Sequence, residues 1–327
     1  MTGPGPEPAP EPGAEPAPLW LVTHSGGFHA DDVLSTVVLQ RLFPQARVIR
    51  SRDAGWLVPA PDRIIYDEGR AYDPGLRIFD HHQRGAPLRA GGRPYSSFGL
   101  IWRHFGADYL AALGVPAGDA AAVHERIDAR FVLPVDLMDN GALDPAGAGA
   151  LADLTLPVLV ESLKPPFDAR NPQADTAAFR RATGIAAAFL EAAVAQAAAG
   201  LRAGALVARA LAAAGGGRVL ELPAALPFHE ALAAPGAGHP WFVVHPRGDG
   251  WVLNGIRRAP DTFALRADLP AAWAGLSGAA LEAATGVPGA RFCHRGRFLA
   301  VADSRDSVLR LAALAVEAAA GSADPVE

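Results

Sequence analysis

Cysteine is almost missing from this chain. Cys293 stands alone, so no intramolecular disulfide can form and no thiolate cluster can hold zinc. The expected setting is the reducing cytoplasm. Lysine is as scarce, and acidic residues outnumber basic ones, 34 Asp and Glu against 29 Lys and Arg, for a formal charge of −5. Such a balance supplies no broad positive field for long nucleic acid, whose affinity rests mainly on cationic side chains neutralising phosphates. A polyanionic substrate would have to be held locally. Long apolar runs are lacking too: Gly, Pro and Arg break the hydrophobic residues into segments shorter than the ~20 that a membrane-spanning helix needs. No membrane partner is expected. Residues 2–18 are mostly Pro, Gly, Glu and Ala, without the basic start and apolar core of a secretory signal, and read as a disordered tail.

What is present divides into two parts. A length of 327 residues suits two cores, since single domains usually run ~100–200 residues. Residues 19–23 (LWLVT) read as a buried strand ending at His24, and residues 31–43 as a helix with Val33, Leu34, Val37, Val38 and Leu42 at helical spacing. Pro44 ends it. Residues 47–51, 63–66 and 77–79 read as further strands, the last two stopping at Asp67 and Asp80. Strands alternating with helical stretches predict a parallel sheet with crossover helices, whose ligands gather beyond the carboxyl ends of the strands. Helices are expected over 97–105 and 120–132, then a long Ala-rich one over 175–214, with Gly200 and Gly204 able to bend it and Gly215, Gly216 and Gly217 ending it. Beyond lie a hairpin (241–245 and 251–256), a helix near 276–285, a strand near 290–294 and a helix over 306–319. The plan is α/β: a tail over 1–18, a parallel-sheet metal-binding catalytic domain over 19–175, a connecting helix over 176–214, and a smaller α+β substrate-binding domain over 215–321.

Four segments carry the chemistry. His24-Ser25-Gly26-Gly27-Phe28-His29-Ala30-Asp31-Asp32 sets two imidazoles and two carboxylates on a loop opened by two glycines. Mixed imidazole and carboxylate donors suit manganese, iron or zinc, whereas oxygen-only sites favour magnesium or calcium. Taken alone the segment reads more readily as a polar turn with surface histidines than as a metal site. Asp80-His81-His82-Gln83-Arg84 is harder to explain by packing, because adjacent histidines diverge, leaving one free for metal and the other for substrate. Asp67, in Tyr66-Asp67-Glu68-Gly69, ends a strand where a carboxylate can bridge two cations. Asp139, in Asp136-Leu137-Met138-Asp139-Asn140-Gly141, adds an acid ahead of a turn glycine, a common place for a capping Asp. Together they predict a metal site.

THSGGFHADD, YDEG, DHHQR and MDNG resemble the four motifs of the DHH phosphoesterase superfamily. The likeness is closest to its melanocyte-proliferating-gene branch, once regarded as metal-dependent protein hydrolases and now as exonucleases acting 3′ to 5′ on RNA. Ser96-Ser97-Phe98-Gly99-Leu100-Ile101, His104-Phe105-Gly106, Trp273-Ala274-Gly275-Leu276 and Gly286-Val287-Pro288-Gly289 also look like segments of that branch, so the similarity extends over about residues 19–320. The resemblance implies two divalent cations, manganese being expected and magnesium the substitute. His24, His29 and Asp67 would hold one, and Asp31, Asp67, His81 and Asp139 the other, with Asp67 bridging. Two ions roughly 3.5–4 Å apart clamp a phosphoryl group between an activated water and the leaving oxygen. Asp80 would orient His81 and fix its tautomer. His82 and Arg84 would bind non-bridging phosphate oxygens, completing a catalytic set of Asp67, Asp80, His82 and Arg84.

In the second domain, Arg266 and His294 match the branch's pattern as substrate-binding residues, with Arg257 and Arg258 as further anion-binding candidates. Two departures stand out. Asp32 replaces the usual Glu, and a glycine pair expected in a GFIGG-like segment gives way to Gly296-Arg297-Phe298-Leu299-Ala300-Val301-Ala302. The implied activity is hydrolysis of phosphodiester bonds in RNA or short oligonucleotides from one end. A small-molecule phosphoesterase acting on pyrophosphate-like or nucleotide substrates is the alternative, since superfamily membership fixes metal chemistry more firmly than substrate. A non-catalytic nucleotide-binding module is a third reading, weakened by the complete ligand set. Homo-oligomerisation is left open.

Overall fold

A computed structural model describes residues 18–259 and 261–321. The tail expected over 1–18 lies, Pro18 apart, outside the described residues. The chain forms two compact units, the first ending at Ala198 and the second beginning at Ala199. That division falls inside a long helix rather than at Gly215, Gly216 and Gly217.

The first unit is built on β1 (Trp20–Thr23), β2 (Arg47–Arg50), β3 (Arg63–Tyr66), β4 (Tyr72–Asp73) and β5 (Ile78–Phe79), in the order β2-β1-β3-β5-β4. β1 pairs with β2 and β3, and β3 with β5, all in parallel, while β4 adds an antiparallel edge. The apolar runs of β1 and β3 account for their central position: Leu21, Val22, Ile64, Ile65 and Tyr66 are buried, as in strands covered on both faces. α1 (Ala30–Leu42) returns the chain from β1 to β2, and every residue from Ala30 to Leu39 is buried, so it is a central helix rather than a two-faced surface one. α2 (Ser97–Ala112) packs against it and buries Phe98, Leu100, Ile101 and Trp102. α3 (Ala117–Ile127) passes through a wide π turn, Asp128–Val132, into α4 (Leu133–Asp139). Pro134 sits in the first turn of α4, where its missing N–H costs least. α5 (Leu156–Glu161) follows.

α6 (Pro172–Ala213) corrects one expectation. It is long and apolar enough, by length and composition, to cross a membrane, because alanine's modest hydropathy accumulates where Glu191 is the one charge over residues 185–201. Its stripe of Phe179, Ala182, Ala186, Leu190 and Val194 recurs at helical spacing and is buried, the pattern of a helix laid on a protein core.

The second unit has β6 (Val219–Glu221), α7 (His229–Leu232), β7 (Phe242–Arg247), β8 (Gly250–Gly255), α8 (Ala279–Thr285), β9 (Ala290–Cys293), β10 (Leu299–Ala302) and α9 (Arg305–Gly321). Its sheet runs β6-β7-β8-β10-β9, antiparallel except for the parallel β6–β7 pair. Strand alternation sorts the side chains. Phe242 and Val244 join Leu253 and the α9 residues Val308, Leu311 and Ala315 in one cluster, while Val243 joins Val207, Leu220, Phe228 and Ile256 in another. Ala300 and Ala302, on the stretch where glycines were expected, are fully buried in the first of these clusters. The substitution has been absorbed as packing.

Candidate metal centre

Because β1, β3 and β5 are parallel, the residues that follow them emerge on one side of the sheet: His24 after β1, Asp67 after β3, Asp80 after β5. Asp67 takes a left-handed backbone, φ 56°, which Asp and Asn accept more readily than most side chains. Its carboxylate is the hub. Oδ2 lies 3.1 Å from His24 Nε2, and Oδ1 lies 3.2 Å from His81 Nε2. The same His81 nitrogen stands 3.3 Å from Asp139 Oδ2 and 3.8 Å from Asp31 Oδ2. His29 offers ligand atoms to two groups whose members lie within 4.8 Å of one another, one with His24 and Asp67, the other with Asp31 and Asp139. All six ligands anticipated in the sequence thus come together.

Without a cation this arrangement is poorly satisfied. Asp31 Oδ1, Asp32 Oδ2, Asp67 Oδ1 and His81 Nε2 are buried with no aligned hydrogen-bond partner, although some approach one another closely. Each such atom costs about 1–3 kcal/mol, and here they converge on one place. The donor chemistry and the orphaned atoms both fit divalent metal. Proton affinities tell the same story. Burial works against a charged His24, but the Asp67 hydrogen bond and the charges of Asp32 and Asp67 outweigh it and raise its pKa to about 9. His81 is likewise raised to about 9, by Asp67, Asp31 and Asp139 against the pull of burial. Burial followed by the Asp31 charge lifts the Asp139 carboxyl to about 9, and burial followed by Asp67 raises Asp31. For Asp67, burial is overcome by the two imidazoles that approach its oxygens at 3.1 and 3.2 Å, and these hold it well below the usual carboxylate range.

Asp80 departs from expectation. Its Oδ1 accepts the His81 N–H at 2.7 Å, the His82 N–H at 3.1 Å and the His82 Nδ1 hydrogen at 2.8 Å, and its Oδ2 accepts the Arg70 N–H at 2.6 Å. It therefore orients the ring of His82 and only the backbone of His81, whose Nε2 faces the carboxylates. His82 is correspondingly raised, by Asp80 above all, and its ring is largely exposed. Arg84 is exposed on the same loop. A cavity of about 440 Å³ opens here, lined by His24, His29, Asp67, Asp80 and His82, and also by Arg52 and Arg70, two cations that the sequence reading did not single out.

Other contributors were missed as well. Asp31 Oδ2 accepts from the Ser97 hydroxyl at 2.9 Å and its N–H at 3.3 Å. Asp32, the departure from Glu, accepts the His29 N–H on Oδ1 at 2.9 Å and places Oδ2 3.2 Å from His24 Nε2, so the shorter side chain still reaches the cluster. Asp136 is fully buried, accepting from Ser96 Oγ at 2.8 Å, Gly99 N–H at 3.0 Å and Arg89 Nη2 at 2.6 Å, while Arg89 Nη1 reaches Asp128 Oδ2 at 2.5 Å. Its position one helical turn before Asp139 was the available signal.

Arg266 and His294 belong to the second unit. Arg266 is not a free anion-binding hand: it donates to the carbonyls of Ala237 at 2.8 Å, Pro240 at 3.0 Å and Leu232. Burial of a guanidinium among carbonyls explains this, and also lowers its pKa. His294 Nδ1 accepts the Gly296 N–H at 2.9 Å.

A family model described as MYG1_exonuc, Uncharacterised protein family (UPF0160), matches residues 20–316. The human MYG1 exonuclease is 33% identical over 95% of this chain and 90% of its own length. A MYG1 protein of Schizosaccharomyces pombe is 29% identical over 91% of this chain and 97% of its own, and one from Chlamydia trachomatis is 30% identical over 87% and 92%. Among solved structures, RecJ from Thermus thermophilus in complex with Mn2+ aligns over 91% of this chain at 13% identity with a TM-score of 0.26, and this chain spans about half of its length, 52%. The motifs gathered at the sheet edge, the match over nearly the whole chain and the full-length relatives lead to one statement: this chain belongs to the MYG1 exonuclease family.

Proposed function

We propose that the protein is a divalent-metal-dependent exonuclease that shortens RNA or short oligonucleotides from the 3′ end in the cytoplasm. The observation that carries this reading is the convergence of orphaned carboxylate and imidazole atoms on Asp67, together with the activity for which the human relative is named. His24, His29 and Asp67 would hold one cation, and Asp31, Asp67, His81 and Asp139 the other. When bound, such cations supply a polarised water and neutralise charge at phosphorus.

The protein's own groups do the rest. Asp67 offers one oxygen to each side of the cluster, and Ser97 holds Asp31 by two hydrogen bonds. Asp80 fixes His82 through Nδ1, which leaves Nε2 as the atom that meets substrate. The Asp80 hydrogen bond that raises His82 favours its protonated ring, whose Nε2–H can donate to a non-bridging phosphate oxygen or to the departing oxygen. Arg84, exposed nearby, can pair with phosphate.

The test is incubation with manganese or magnesium and, in parallel, RNA and DNA labelled at the 5′ end, dinucleotides and pyrophosphate. A ladder shortened from the 3′ end of RNA is expected. Release from pyrophosphate alone would replace this reading with a small-molecule phosphoesterase.

A further inference from the structure

The second unit holds a cleft of about 790 Å³ that the metal cluster does not account for. Part of its wall is formed by Arg257 and Arg258 and by Phe263, Ala264 and Leu265, tied together by an antiparallel Arg257–Leu265 bridge and by the Arg258 N–H donating to the Ala264 carbonyl at 2.9 Å. Two aromatic rings line it. Phe263 is 86% exposed, with the Arg257 guanidinium 4.7 Å from its centroid, and Phe298 is 43% exposed, with the His294 ring 4.3 Å away. Large apolar rings held in water around a concavity mark a contact surface for something flat.

The charge of the cleft narrows the occupant. Arg257, Arg258 and Arg266 line it against one carboxylate, Asp268, which is paired to Arg297 at 2.5 Å. On a chain of net charge −5 this is a local concentration of positive charge. His229 in the same lining feels it: burial and then the Arg257 charge lower its pKa. Arg266 is engaged by carbonyls and shapes the wall, whereas Arg258 uses its Nε–H on the Leu265 carbonyl and spends its terminal nitrogens on no hydrogen bond among the described residues. Flat apolar faces beside guanidinium groups match a nucleobase joined to a phosphate, and match neither an inorganic anion nor an aliphatic chain.

We infer that this cleft binds one nucleotide unit of single-stranded nucleic acid, its base stacked on Phe263 and Phe298 and its phosphate paired with Arg257 and Arg258. The inference rests on the nuclease reading and deepens it, giving the protein a grip on bases that does not depend on their identity, since every base presents a π face. Each stacked base is worth roughly 5- to 150-fold in affinity.

The experiment uses the full chain. In an Asp67→Asn background, which prevents cleavage, anisotropy measures binding of a labelled eight-residue RNA and of an abasic sugar-phosphate oligomer of equal length. Phe263→Ala and Phe298→Ala should each weaken RNA binding at least fivefold and leave the abasic oligomer unchanged. Phe263→Trp should restore binding, and Arg257→Gln with Arg258→Gln should weaken both ligands. Equal RNA affinity in the phenylalanine variants overturns the cleft, as does an equal loss on the abasic oligomer.

Hydrolysis of the same labelled RNA by the wild-type protein with manganese is measured alongside. Absence of this hydrolysis together with phenylalanine-dependent RNA binding would remove the enzymatic reading and keep the cleft.

Discussion

Asp67 joins the two sides of the cluster while occupying a left-handed backbone. Asn accepts that backbone as well as Asp does, so Asp67→Asn should retain the fold while removing turnover to background and lowering bound manganese measured by elemental analysis. An active variant with full metal content would contradict the hub. The raised histidines give a second expectation. His24 and His81 normally titrate near 6.5 and are raised to about 9, so their contribution to the metal-free fold is complete below 6.5 and is lost as pH climbs through 9. The raised Asp139 also binds more protons folded than unfolded, and pushes in the same direction. The chelated protein should therefore lose melting temperature between pH 6.5 and 9, and the manganese-loaded protein should lose less, because metal replaces those protons. Parallel melting curves decide it, and a flat chelated profile would count against the cluster. At this scale the six clustered residues were legible through the motifs that resemble the superfamily's, in which His and Asp recur. The ring that Asp80 holds was not, since two adjacent histidines give no sign of which one faces back.

α2 and α4 fix much of the geometry through one glycine. A Cβ at Gly99 would run into the Asp136 carboxylate, whereas Gly204 in α6 has open space. Gly99→Ala should destabilise by about 1–3 kcal/mol through overpacking and, by shifting α2 with its Ser97, reduce activity. Gly204→Ala should stabilise by up to roughly 1 kcal/mol through helix propensity. Thermal unfolding of both variants tests the contrast, and tolerance at Gly99 would dissolve the argument. Elements with long apolar or alanine-rich patterns could be read directly: α1, α6, α9 and the β7–β8 hairpin. The two-residue strands β4 and β5 show too little alternation to declare themselves, and β5 was seen only because it precedes Asp80. The π turn between α3 and α4 was hidden because helical periodicity carries through it.

Across the whole molecule acidic residues outnumber basic ones, which leaves no broad positive field to meet a polyanion, so binding should depend only weakly on salt. If Arg84 at the metal centre and Arg257 and Arg258 in the cleft carry the phosphate contacts, log affinity for single-stranded RNA should fall against log salt with a slope of roughly −2.1. A titration from low to moderate potassium chloride measures it, and a slope several times steeper would point to an extended basic track instead. Mixed α/β architecture followed from the order of elements, and parallel pairing follows from crossovers, which is why the site's side of the sheet could be anticipated. The division inside α6 could not, because a continuous helix carries no break in composition where packing changes partners.

One carboxylate, that of Asp80, gathers four hydrogens, three of them from main-chain nitrogen. Main-chain donors are indifferent to which amino acid supplies them. The scaffold around the turn thus keeps its link at position 70 with any side chain that accepts the left-handed backbone Arg70 adopts, φ 52°, while replacement of the acid itself would dismantle four links at once. As the lineage diverges, tolerance and intolerance should sit within a few ångströms of each other.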